Sequence, residues 1–391
     1  MKLLKYLYFA VCFLFLMAMP AYAYVDPSVV TTAVQVIAGV AVVIGTVAGV
    51  AWRRAKRAVL NKLGKDGKGK KEVEPDVVWF SDDEDEDDGE TAPITRYAMA
   101  ISTQNRTLYQ TYGHEKALEL LAQAGFDHVD MSFTPMAKDP ENEFLQPDAQ
   151  ERCRAIRAKA ESLGLSFNQC HAPFQMDMKP WLEGDREHIL HLLRTSIRLA
   201  GILGAKIIVV HPVQCMNYLN NDPEWIKQVN VEFYSMLIPT AQEAGVKIAI
   251  ENMWQRNQYN KNIVSSVCSS PYELRSYVDA CNAVAPVFTA CLDIGHCLLT
   301  GHDPVNAIRV LGDRLGCIHA HDVDGINDNH TCPMTMKVDF PAVMEALWEI
   351  GYKGEFTLEA DYFYTHFPKE QYPCALQQLA TVSRMLATPE A

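Results

Sequence analysis

Between Ile94 and Ala391, eight short apolar runs alternate with longer stretches of helical periodicity, and that alternation leaves few folds open. The expected strands are Tyr97–Ser102, His128–Phe133, Ser166–His171, Lys206–His211, Lys247–Glu251, Val287–Asp293, Gly316–His321 and Glu355–Glu359. Helical patterns fall between them at Glu115–Ala124, Asp148–Ser162, Asp185–Leu203, Asp222–Ala244, Pro271–Ala285, Pro304–Leu311 and Phe340–Ile350, and Tyr372–Leu386 closes the series. Glycine stands at helix-to-strand joints (Gly125, Gly164, Gly204, Gly245, Gly351), as expected just past a helix C-terminus. Eight such units predict an α/β fold, a (β/α)8 barrel over residues 94–391. A doubly wound open sheet is the alternative, but no GxGxxG turn follows the first strand.

The residues before the barrel read differently. Residues 1–23 carry Lys2 and Lys5, an apolar run and Ala21-Tyr22-Ala23, the pattern of a signal peptide or of a first hydrophobic segment. Residues 28–52 hold an uncharged span from Val29 to Trp52, long enough to cross a bilayer as a helix. Arg53, Arg54, Lys56 and Arg57 follow at once, which by the positive-inside rule keeps that end in the cytoplasm. Residues 53–93 join a Lys/Gly run to an acidic block at Asp82–Asp88, a charged linker too poor in apolar residues to fold. The expected arrangement is a membrane-anchored chain with its barrel on the cytoplasmic side.

Charge and cysteine usage agree with that placement. Of the 35 basic and 48 acidic residues, 24 and 35 lie beyond Glu90, so the barrel region has 11 excess negative charges. A chain that lives on nucleic-acid phosphates normally shows a basic face. The 11 cysteines form no CxxC pair, which reads as buried, reduced thiols.

Chemistry in such a barrel sits where strands run into the loops that follow them. Those positions hold His171, His211, Glu251, Asp293, His296, His319, His321, Asp328, His330 and Glu359. Six of the 12 histidines fall there, which scattered surface histidines would not do. Imidazole with carboxylate suits a divalent Mn, Zn, Co or Fe, whereas Mg and Ca prefer oxygen alone. A carboxylate behind IAI (Glu251) or FTL (Glu359) is costly to bury without a cation near it. His319 is expected one layer deeper, supporting rather than ligating. Asp303, Asp324 and His302 read as loop residues.

The strings HAPF, HP, IAIEN, LDIGH, HAHDVDG, DNH and LEAD come in the order found in the xylose isomerase-like TIM barrels. From about Tyr97 to Leu386 the chain resembles that superfamily, in particular its sugar phosphate isomerases/epimerases. The resemblance implies one divalent metal held by Glu251, Asp293, His321 and Glu359, with His296 touching substrate hydroxyls. The superfamily's endonuclease IV branch, with three zinc ions, would add His171, His211, His296, Asp328 and His330 as ligands. Family members commonly carry a PGEG-like turn where this chain has Pro333-Met334-Thr335-Met336, so that loop is expected to close differently. Some ketohexose epimerases carry a glutamate where Asn257 stands.

The resulting expectation is a sugar or sugar phosphate isomerase/epimerase working by proton transfer through an enediolate. Glu251 and Glu359 would move the protons, and Trp181 and Trp254 would cover the sugar's apolar face. The alternatives are a trinuclear-zinc phosphodiesterase and a sugar-binding barrel without turnover. The expected partners are the small sugar, the membrane through the N-terminal helix and, by self-association, a homo-oligomer; nucleic acid is disfavoured by charge.

Overall fold

The computed structural model describes residues 94–174, 181, 184, 186–214 and 218–389. The segments expected at 1–23, 28–52 and 53–93 lie outside these residues. Among the described residues, no helix is long and apolar enough to cross a membrane.

Eight parallel strands carry the fold. They are β1 (Ile101–Gln104), β2 (His128–Ser132), β3 (Ser166–His171), β4 (Ile207–Val209), β5 (Lys247–Glu251), β8 (Phe288–Asp293), β9 (Leu315–His319) and β10 (Phe356–Leu358). Hydrogen bonding orders them β10-β1-β2-β3-β4-β5-β8-β9. The seam closes through a parallel bridge between Ala320 and Leu358, where Ala320 donates to Thr357 and Glu359 to Ala320 at 2.8 and 3.1 Å. The sheet is thus a nearly closed (β/α)8 barrel. A two-stranded hairpin, β6 (Trp254–Arg256) with β7 (Ile263–Ser265), interrupts the connection after β5. Asn257 shapes its turn, accepting from the backbone of Tyr259 at 2.9 Å.

The helices are α1 (Arg106–Tyr112), α2 (His114–Ala124), α3 (Ala149–Ser162), α4 (Arg186–Leu203), α5 (Pro223–Ser235), α6 (Ile238–Ala244), α7 (Pro271–Asn282), α8 (Ile294–Leu299), α9 (Pro304–Leu311), α10 (Phe340–Glu349), α11 (Asp361–Thr365) and α12 (Tyr372–Ala387). Their apolar faces cover the outside of the barrel: Leu118 and Leu121 of α2, Ile197 and Ala200 of α4, and Leu376 and Leu379 of α12 are all buried. Gly125 and Gly245 end α2 and α6 with φ of +95° and +66°, where a side chain would be strained.

Two elements depart from expectation at their boundaries. The stretch Asp222–Ala244 is two helices, because Pro239 lacks the N–H that would continue the ladder and opens α6 instead. β1 starts at Ile101 rather than Tyr97, since the Met99 N–H is taken by Ala387 at the end of α12, 2.9 Å away. The loop after β9, expected to close differently, keeps a left-handed backbone at Met334, φ +69°. The Asp322 carboxylate holds that loop shut by accepting from Thr335, Met336 and Val338 at 2.9, 2.7 and 3.0 Å.

Candidate metal centre

Alternation along the strands builds the floor of the site. Val209, Ala249, Cys291 and Cys317 form a small buried apolar layer inside the barrel. Two residues further along the same strand directions stand His211, Glu251, Asp293 and His319. His171 ends β3, and Glu359 follows β10.

Glu251, Asp293, His319 and Glu359 bring one ligand atom each within 4.8 Å of one another. His319 Nδ1 is 2.9 Å from Glu251 Oε1 and 3.3 Å from Glu359 Oε2. Gln104 Nε2 donates to Glu359 Oε1 at 2.8 Å. Asn252 pins β5 to β8, accepting from the Asp293 N–H at 2.7 Å and donating to its carbonyl at 2.9 Å. Asp293 also caps α8 by accepting from the His296 N–H at 2.7 Å.

The four that meet differ from the expected set at one position: His319, not His321, stands with the three carboxylates. His319 is the last residue of β9 and, like Cys317, faces the barrel interior. Ala320 then turns to bridge β10, and the chain lifts His321 to a higher level. There His321 Nε2 contacts Asp293 Oδ1 at 3.0 Å, and its ring stacks on His330 at 4.2 Å. Gly295 makes room for that ring, since a Cβ there would come 2.1 Å from His321 Cε1.

Two further donor groups adjoin the first. His171, His211 and Glu251 form one, with His211 Nε2 2.8 Å from Glu251 Oε2. His296, His321, Asp328 and His330 form the other. In the latter, His296 Nδ1 lies 3.0 Å from the Asn252 carbonyl and His330 Nδ1 2.8 Å from the Glu359 carbonyl. A carbonyl only accepts, so both Nδ1 atoms carry the proton and both Nε2 atoms are presented to Asp328, at 3.6 and 3.0 Å. His330 is held with φ +42°, a strained backbone for a non-glycine residue at a site.

Three buried or nearly buried carboxylates this close repel one another unless cations stand among them. Burial opposes the charge of Glu251, yet His319 and His211 outweigh it and hold the carboxyl well below its ordinary range. Asp328, also opposed by burial, is held low by His296 and His330. Burial alone would lower the pKa of His296 and His330; facing Asp293 and Asp328 for the first, and Asp328 for the second, raises each to about 10. Several buried atoms lack an aligned hydrogen-bond partner, among them Glu251 Oε2, His211 Nδ1, both ring nitrogens of His171, His321 Nδ1 and Asp328 Oδ1. Unsatisfied imidazole and carboxylate atoms converging at one end of a barrel fit a divalent cation of the Zn, Mn, Co or Fe type.

The aromatic expectations divide. Trp181 is 2% exposed and packs edge-on against Phe233, with Arg186 over its other side, so it is core rather than a free sugar platform. Packing from α4 and α5, unseen along the chain, buries it. Trp254 does line the site, its Nε1 donating to Asp328 at 3.1 Å. Sequence reasoning missed Gln104, Asp130, Gln169 and Asn252. Their signal is polar side chains where an apolar barrel interior would be expected: all four are buried.

The fold is a (β/α)8 barrel with clusters of candidate metal ligands gathered at one end. The profile described as xylose isomerase-like TIM barrel matches residues 118–380, and the chain belongs to that family. Among curated relatives, the uncharacterized protein MJ1311 of Methanocaldococcus jannaschii is 28% identical over 193 residues, covering 48% of this chain and 62% of that protein. The uncharacterized protein y4fM of Sinorhizobium fredii is 25% identical, covering 63% and 81%. Among solved structures, a D-tagatose 3-epimerase-like protein has a TM-score of 0.57 at 21% identity, covering 74% of this chain and 98% of its own. The 3-keto-D-glucoside 4-epimerase YcjR of E. coli has a TM-score of 0.56 at 17% identity, covering 72% and 99%. A D-psicose 3-epimerase determined in the presence of D-fructose has a TM-score of 0.56 at 15% identity, covering 74% and 100%. At these identities the likeness to solved structures is one of fold.

Proposed function

We propose that the chain is a divalent-metal sugar or sugar phosphate epimerase/isomerase. One observation carries this reading: Glu251 of β5 and Glu359 after β10 come with Asp293 and His319 to a single point at the C-terminal mouth of the barrel. Glu251, Asp293, His319 and Glu359 would hold a divalent cation there, which would supply Lewis acidity toward a sugar carbonyl and the hydroxyl beside it. Glu251 and Glu359 then exchange a proton with the carbon between them, one on each face of the enediolate. Gln104 fixes the Glu359 carboxylate, and His211 with His319 keeps Glu251 ionised and ready to accept. The His296 ring, reaching over the same mouth, orients substrate hydroxyls. The N-terminal sequence supports anchoring of this enzyme to a membrane, with the barrel on the cytoplasmic side.

A second reading has its own observation, the two flanking donor groups, one of which shares Glu251. Three cations in that arrangement would suit hydrolysis of a phosphodiester, the chemistry of endonuclease IV. The barrel's 11 excess negative charges weigh against a nucleic-acid substrate. Incubation with ketoses and their phosphates in deuterated water decides between them. Epimerisation puts deuterium on the carbon beside the carbonyl, and both Glu251→Gln and Glu359→Gln abolish it. Three tightly held zinc ions per chain, with nicking of abasic DNA and no exchange, would establish the hydrolase instead.

A further inference from the structure

We infer that Asp130 and Gln169, which lie outside the three donor groups described above, are a positioning pair that decides which ring nitrogens of His171 and His319 face the metal centre. The inference rests on the metal-centre reading above.

Both residues are buried beneath the site, at 0% and 1% exposure. Gln169 Nε2 lies 3.0 Å from Asp130 Oδ2 and 3.0 Å from His319 Nε2. Asp130 Oδ2 is also 2.8 Å from His171 Nδ1. The two histidine rings stack at 4.4 Å with 21° between their planes. One carboxylate and one amide therefore meet the outward nitrogens of both rings. Their other nitrogens point to the centre: His319 Nδ1 toward Glu251 and Glu359, and His171 Nε2 toward Glu359 Oε1 at 3.9 Å.

Ring chemistry makes this grip consequential. A histidine that gives Nδ1 to a cation carries its proton on Nε2 and needs an acceptor there. With its NH2 toward His319, Gln169 offers a donor, and the ring proton must then sit on Nδ1, against Glu251. Turning the amide over presents Oε1 instead, an atom that now has no aligned partner, and frees His319 Nδ1 to ligate. The same turn would set Oε1 against Asp130 Oδ2, where the amide nitrogen now stands at 3.0 Å. Asp130 must then swing away from Gln169 and toward His171, whose Nδ1 its Oδ2 already meets at 2.8 Å, and accept the proton there. His171 Nε2 is left unprotonated toward the centre. The pair thus couples the two histidines, so that both become ligands in one rearrangement of buried side chains.

The test is metal affinity of the full-length chain, with zinc measured by chelator competition and ring tautomers by ¹⁵N NMR of labelled histidine. Gln169→Leu and Asp130→Asn are each expected to weaken zinc binding about 10- to 100-fold. The His319 ring signals should show loss of the Nε2–H ligand form, while far-UV circular dichroism stays that of the wild type. The double exchange Asp130→Asn/Gln169→Glu, which keeps one carboxylate and one amide in the pair, should recover most of the affinity. A merely structural role would lower the melting temperature of the metal-free chain and leave affinity and tautomers alone. Affinities within twofold of wild type for both single variants overturn the pair's role but leave the centre intact. A wild-type chain that binds no zinc overturns the centre and the pair together.

Discussion

At the scale of single residues, the centre is tuned by which atoms neighbouring groups leave free. His296 and His330 have Nδ1 committed to carbonyls and Nε2 turned on Asp328, and each is raised to about 10. An unfolded histidine titrates near about 6.5. Without metal, their stabilising effect is therefore complete below about pH 6.5 and is lost as pH rises through about 10. A cation entering this group must displace their protons, so its affinity should climb with pH up to about 10. Zinc titrations at pH 7 in two buffers of different ionisation enthalpy should register proton release, and identical heats in both would refute it. Gly295 tests the same group sterically. Gly295→Ala sets a methyl 2.1 Å from the His321 ring, so a zinc ion loaded beside His330, as the hydrolase reading requires, should be lost while zinc beside Glu251 is retained, as counted by metal analysis.

At the scale of elements, loops do what the strands leave undone. The turn after β9 keeps a glycine-like conformation at Met334 because three N–H bonds to Asp322 over-determine it. A left-handed non-glycine residue costs about 1 kcal/mol or more. Met334→Gly relieves that strain against some loss of chain entropy, a net gain of roughly 0.5–1 kcal/mol. Denaturant unfolding of the metal-free chain should show the gain, and a fall in stability would mean that Met334, half exposed as it is, packs more than its backbone costs.

For the whole molecule, the proposed topology rests on the N-terminal sequence alone: the uncharged span ending at Trp52, then Arg53-Arg54, would put the barrel in the cytoplasm. All nine described cysteines are free, eight of them buried. Protease added to intact cells should leave the barrel whole, and the barrel should sediment with membranes. Digestion of the barrel, or its release into the medium, would contradict the topology.

The sequence by itself determined the barrel and the end of it that holds chemistry. Strand length, helical period and glycine joints are local properties, and His211, Glu251, Asp293 and Glu359 stand at strand ends in any barrel with this order. It did not determine which histidine joins those carboxylates. His319 and His321 share a face two residues apart, at levels about 6–7 Å apart along the strand, and which level the carboxylates meet is decided only by the register and closure of the barrel, with Ala320 bridging β10. Nor did it show Trp181 as core, or Asp130 and Gln169 beneath the site, because each depends on neighbours far away in sequence. Contacts such as Asn252 to Asp293, or Gln104 to Glu359, are made by strands closing on one another. Alternation fixes which side of a strand a residue faces; the level at which it meets its partners is set by register and closure, which exist only in the folded barrel.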